Sequence, residues 1–117
     1  MGRIIAMDFD GVIHSYKSGW LGEDKIQDLP VNGAKKAIDL YIKNGFEIHI
    51  FSSRCSSDKG RLAICNWLYN NGFNPDIVVS AIKPPAYMSI DDRSFPPWDG
   101  VFPTIDQIEN FKPWWMK

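Results

Sequence analysis

The 117-residue sequence is short of several things that would have placed it quickly. It has two cysteines, Cys55 and Cys65, too few for a disulfide framework and at no metal-ligand spacing. With only two histidines as well, a zinc or other soft-metal site has little to be built from. Charge of one sign is missing too: 13 Lys+Arg against 14 Asp+Glu leave a net charge of −1. That excludes a global basic field holding nucleic acid nonspecifically, though not a local patch. No apolar run approaches the ~20 residues of a membrane span. The apolar stretch Ile4–Met7 is too short for a signal peptide. These absences lead to the expectation of a soluble cytoplasmic protein with reduced thiols and no membrane partner. Aromatic residues, by contrast, are plentiful at 14%, with five tryptophans.

At this length the chain is one domain, residues 1–117, and its segments alternate between two periods. RIIAMD over Arg3–Asp8 reads as a strand buried on both faces, FEIHIF over Phe46–Phe51 as a second strand, and DIVV over Asp76–Val79 and YMSI over Tyr87–Ile90 as two more. A helix capped by Asn32 carries Ala34, Ala37, Ile38, Tyr41 and Ile42 on one face and stops at Gly45. A second, capped by Ser56 or Ser57, has Leu62, Cys65, Leu68 and Tyr69 as its apolar face and ends at Gly72. Residues 12–31 lack any period and carry Gly19, Gly22 and Pro30, a long loop or flap. After a Pro-rich loop around Pro96, Pro97 and Trp98, Thr104 and Gln107 form a capping-box pattern, followed by Ile105, Ile108 and Phe111 on one face and Pro113 as a stop. Strands alternating with helices at this spacing predict an α/β fold with a mainly parallel sheet. Right-handed crossovers bring the strand carboxyl ends to one edge, where ligands of such sheets bind.

Four polar clusters fall at those ends: Asp8-Phe9-Asp10-Gly11, Ser52-Ser53-Arg54, Lys83, and Asp91-Asp92-Arg93. Asp8 and Asp10 are two apart, so in extended backbone both carboxylates point the same way and Phe9 the other. A third carboxylate, from Asp91 or Asp92, would crowd them unless a cation neutralised the group. All-oxygen ligands favour Mg²⁺, which bridges carboxylates to phosphate. Ser52 and Ser53 offer hydroxyls and backbone N–H groups as a phosphate cradle, and Lys83 a point charge against phosphate oxygens. In phosphoryl transfer Asp8, ionised beside the metal and Lys83, is the nucleophile and forms an aspartyl-phosphate. Asp10, kept protonated by like-charge crowding, protonates the leaving oxygen and later takes a proton from water.

This ordered set resembles the haloacid dehalogenase-like (HAD) superfamily of phosphohydrolases. Asp8-Phe9-Asp10-Gly11-Val12 is similar to its first motif, Ser52 to the second, Lys83 to the third and Ile90-Asp91-Asp92 to the fourth, across residues 4 to 93. The resemblance implies a Rossmann-like three-layer α/β/α sandwich. It also implies Mg²⁺ held by Asp8, the backbone carbonyl of Asp10 and one of Asp91 and Asp92, with similar small phosphatases favouring Asp92. About twenty residues separate Gly11 from the first helix, and three separate the third strand from Lys83. Neither gap holds a cap domain, so a capless enzyme with an open site is expected. Capless members often act on bulky substrates, which makes a nucleotide or a nucleic-acid terminal phosphate the first expectation.

Around this set, Arg54 and Arg93 either hold a further phosphate or pair with a carboxylate. Trp20 and Trp98 either stack on a base or cover the sheet edge. His14 meets substrate or belongs to the flap, His49 is a structural histidine inside its strand, and Trp114 and Trp115 pack on the body or on a second subunit of an oligomer. The competing function is a phosphorylation-controlled or phosphate-binding signalling module, similar to receiver domains, that does not turn over.

Overall fold

In a computed structural model of the chain, which describes residues 3–91 and 99–110, four segments pair as strands: β1 Arg3–Asp8, β2 Phe46–Phe51, β3 Val78–Ser80 and β4 Met88–Ile90. They form one all-parallel sheet in the order β3-β2-β1-β4. The first two strands have the expected bounds. β3 starts two residues later than the sequence suggests, because an Asn74 turn intervenes. The Asn74 side chain accepts from the Asp76 N–H at 2.8 Å and its carbonyl from the Ile77 N–H at 3.3 Å.

Helix α1 spans Ala34–Lys43, α2 Asp58–Asn70 and α3 Ile105–Glu109. The apolar face of α1 is the expected one, with Ala34, Ile38 and Tyr41 buried. Its N-cap, however, is Gly33 at φ 85, without a side-chain cap, and not Asn32. Ser57 caps α2 by accepting from the Gly60 N–H. The buried face of α2 is Gly60, Ile64, Trp67 and Leu68, whereas Leu62 and Tyr69, expected inside, are 57% and 83% exposed. Two faces compete on this helix, and the one holding Trp67 and Ile64 removes more apolar area from water. The Thr104–Gln107 capping box closes on α3 as expected. Phe111 and Pro113 lie outside the described residues.

Strand register sorts the sheet into two unlike faces. Ile5, Met7, Phe46, Ile48, Ile50, Val79, Met88 and Ile90 share one face, and all belong to a single core that includes Ile38, Tyr41, Ile64, Trp67, Leu68 and Ile108 from the helices. β1–α1–β2 and β2–α2–β3 step in the same direction, so right-handed crossovers place both helices on that side. The opposite face carries Ile4, Ala6, Glu47, His49 and Val78, with Glu47 exposed and Val78 45% exposed. Among the described residues, helices cover one face only, because the connection from β3 to β4 over residues 81–87 contains no helix. His49 therefore lies on the less covered face. Among the described residues, no helix is long and apolar enough to cross a membrane.

Candidate active site

β1 runs straight into a tight turn that aims its carboxylates. The Phe9 carbonyl accepts from the N–H groups of Val12, Ile13 and His14 at 3.3, 3.0 and 3.0 Å, and Gly11 takes φ 85 to close the loop. Phe9 points down into the core, where its ring meets Trp67 edge-on at 5.2 Å and stacks on His14 at 5.4 Å. With Phe9 anchored below, Asp8 and Asp10 both face upward. They line an open cleft of about 530 Å³ beyond the strand ends, together with Ser52, Ser53, Asp91, Tyr16, Trp20, Phe51 and Ala81.

Ser52 is nearly buried. Its hydroxyl accepts from the Arg54 N–H at 3.2 Å, which starts a 3-10 turn over Ser53–Ser56. The next residue, Ser53, is exposed at the cleft. Lys83 stands beside the cleft. Its ammonium lies 3.4 Å from Asp91 Oδ2 and 5.4 Å from the centroid of the Phe51 ring. Asp8 Oδ1 accepts from the Phe9 N–H at 2.8 Å.

Asp10 sits at the centre of a buried polar network. Arg54, fully buried, donates to it through Nε at 2.9 Å and Nη2 at 3.1 Å. His14, 1% exposed, contacts Asp10 Oδ1 through Nδ1 at 2.8 Å, while its Nε2 accepts from the Asp28 N–H at 3.2 Å. The second contact makes Nε2 the acceptor nitrogen and leaves Nδ1 to donate to Asp10. Burial alone would raise the Asp10 pKa, but the hydrogen bonds from His14 and Arg54 and the Arg54 charge outweigh it and hold the carboxyl below its ordinary value. The contacts with Arg54 and His14 thus favour the carboxylate form of Asp10, whereas like-charge crowding favours the acid. Its neighbours are an arginine and a histidine, so crowding by carboxylates is not the dominant field. Arg54 likewise does not face the cleft as a substrate contact. Of its two expected roles, it takes the pairing with a carboxylate.

The same guanidinium fastens the flap. Arg54 Nη1 donates to the carbonyls of Gly22 and Glu23 at 2.7 and 3.0 Å, and the Trp20 ring lies over it with its centroid 4.6 Å from Cζ. The base of the flap is pinned where Val31 N–H meets the Ile13 carbonyl at 2.8 Å and Ser15 N–H the Leu29 carbonyl at 3.0 Å. Asp28 ties its middle, accepting from the Ser18 N–H and hydroxyl at 2.7 Å each. These bonds hold its pKa below the ordinary value despite some burial.

Comparison of the chain with models of protein families, with curated proteins and with solved structures returns no match. The cleft brings together Asp8, Asp10, Ser52, Ser53 and Asp91, with Lys83 at its rim. Asp92, Arg93 and Trp98 lie outside the described residues, as do Trp114 and Trp115. Sequence reasoning missed Asp28, and it could not assign His14 to the support of Asp10. The DxDGVxH spacing holds a signal for the latter, since a four-residue return brings the histidine back beside the second aspartate. No three His, Cys, Asp or Glu side chains form a metal-holding cluster among the described residues. The donors at the cleft are nonetheless all oxygen, and Mg²⁺ needs only one or two carboxylates besides water and phosphate. Asp8 and Asp91 fit that requirement. The Asp10 carboxylate is engaged by Arg54 and His14.

Proposed function

We propose that the chain is a Mg²⁺-dependent phosphomonoester hydrolase of the small, capless HAD-like type, working through an aspartyl-phosphate on Asp8. The observation that carries this reading is the convergence of Asp8, Asp10, Ser52, Ser53 and Asp91 on one cleft at the carboxyl edge of a parallel sheet, with the Lys83 ammonium on Asp91. Asp8, Asp91 or Asp92, and the Asp10 carbonyl would hold the ion, which supplies charge neutralisation for the phosphoryl oxygens. Ser52, Ser53 and Lys83 bind and orient those oxygens.

An Asp8 carboxylate oxygen attacks phosphorus and the bond to the leaving oxygen breaks, that oxygen taking a proton from Asp10. Water then attacks phosphorus, Asp10 takes its proton, the bond to Asp8 breaks and inorganic phosphate leaves. The carboxylate state of Asp10 fits the second half of this cycle. The first half needs the protonated form, which a dianionic phosphate entering the cleft favours. The flap, pinned by Arg54, covers one side of the site and limits water there.

The test is phosphate release from a panel of nucleotides, oligonucleotides, sugar phosphates, phosphopeptides and an aryl phosphate. Release is expected to need Mg²⁺ and to fall at least 10³-fold in Asp8→Asn, roughly the effect of losing an essential nucleophile. No release from any member of the panel would overturn the reading. The grip of Arg54 and His14 on Asp10 favours one alternative, a phosphate-accepting signalling module without turnover. A phospho-form that persists for hours after purification would select it.

A further inference from the structure

Resting on the phosphatase reading of this cleft, we propose that Trp20 is a stacking platform that selects phosphomonoesters whose leaving group carries a nucleobase. Trp20 is 54% exposed although it lines the same cleft as Asp8. Leaving so large a ring half in water forgoes apolar burial that the core could have used. The ring is nevertheless held in place. The Arg54 guanidinium lies 4.6 Å from its centroid, and that guanidinium is itself buried and fixed by the Gly22 and Glu23 carbonyls and by Asp10. A ring already ordered from behind loses little further freedom when a flat ligand covers it.

The remaining wall of the cleft has the same character. Apart from its phosphate-facing polar groups it is made of Tyr16, Trp20, Phe51 and Ala81. Tyr16 holds φ 59, the left-handed region that bulky residues avoid, and it is the one non-glycine residue with positive φ among those described. Strained backbone of this kind persists where its surroundings hold it and concentrates at ligand clamps. Flap and strand thus present rings to the space next to the phosphate subsite. A polyol leaving group offers those rings no flat π-face, whereas every nucleobase has one to stack on them.

Adenosine 5′-monophosphate and ribose 5-phosphate share the phosphorylated ribose, the second with an anomeric hydroxyl in place of the base, and provide the test, with Mg²⁺ and the full chain, for the wild type, Trp20→Phe and Trp20→Ala. The wild type is expected to favour the nucleotide. The ratio of kcat/KM for the nucleotide over the sugar phosphate should fall roughly 5- to 100-fold in Trp20→Ala and much less in Trp20→Phe. A 5′-phosphorylated oligonucleotide identifies the source of the base: faster turnover than the mononucleotide assigns a nucleic-acid end, slower turnover a free nucleotide. Equal losses on both small substrates in Trp20→Ala, or a wild type indifferent to the base, overturn the proposal. Calorimetric binding of adenosine, which has no phosphate, separates the two claims. Adenosine binding that Trp20→Ala abolishes, in a protein that hydrolyses nothing, keeps the platform and rejects the phosphatase. Hydrolysis of ribose 5-phosphate without adenosine binding rejects the platform and keeps the phosphatase.

Discussion

Gly60 shows how one residue's role is set by what approaches it. In the first turns of α2 a glycine would ordinarily be a weakness, and alanine would be expected to stabilise the helix by about 1 kcal/mol. A Cβ built there, however, would lie 1.9 Å from the Arg54 carbonyl oxygen and 2.8 Å from its carbonyl carbon. The obstacle is backbone, so no side chain can swing aside. Gly60→Ala is therefore expected to destabilise the fold by about 1–3 kcal/mol, the usual cost of overpacking. Because the atoms displaced belong to Arg54, the change should also loosen Asp10 and the flap. Urea unfolding measures the first effect. A variant as stable as the wild type, or more so, would show that the close approach of α2 to Arg54 is absent.

At the scale of elements, α2 decides its own orientation by the weight of its two candidate faces. Leu62 and Tyr69 have the spacing of buried residues yet lie outward, while Ile64, Trp67 and Leu68 form the contact with the sheet. The indole N–H of Trp67 donates to the Asp28 carbonyl at 3.0 Å, so this face also holds the flap, which the other could not do. Ile64→Ala should cost about 2–5 kcal/mol. Leu62→Lys, on the solvated side, should change stability by no more than about 0.5 kcal/mol. Similar losses from the two substitutions would mean that the helix is rotated about its axis. α1 has less conflict, because only Leu40 lies off its apolar stripe and is exposed, and there the sequence and the structure agree on Ala34, Ile38 and Tyr41.

At the scale of the whole molecule, the flap, the turn after β1 and the start of α2 are joined by carboxylates whose charge the fold needs. Asp10 and Asp28 both have pKa values held below the ordinary one, near 3.8, by their hydrogen-bond donors. A carboxyl depressed in the folded state stabilises it at pH values above its unfolded pKa, and that contribution disappears as pH falls through the folded value. The urea midpoint should therefore be insensitive to these groups above about pH 5 and fall as the solution is acidified below about pH 4. A midpoint that stays level, or rises, down to pH 3 would contradict the network. The same network explains why part of the site was legible in the sequence and part was not. Asp8, Asp10, Ser52, Lys83 and Asp91 could be grouped because each follows a strand in a parallel sheet, and strand ends are shared by topology. Arg54 also follows a strand, but whether it points to solvent or to Asp10 depends on where the flap carbonyls lie, and those come from a segment without period.

The sequence by itself determined the alternation of strands and helices, the parallel order that carries the polar clusters to one edge, and the paired carboxylates after β1. Periodicity, turn residues and strand-end spacing are local properties, and the right-handed crossover turns them into a common edge. Only the tertiary structure decided which face of α2 is buried, that helices cover one face of the sheet among the described residues, and that Asp10 is paired with Arg54 and His14. Each of these depends on residues far apart in the chain competing for the same partner, Arg54 for Asp10 and Trp67 for the core, and such a competition is settled by packing and by charge at close range.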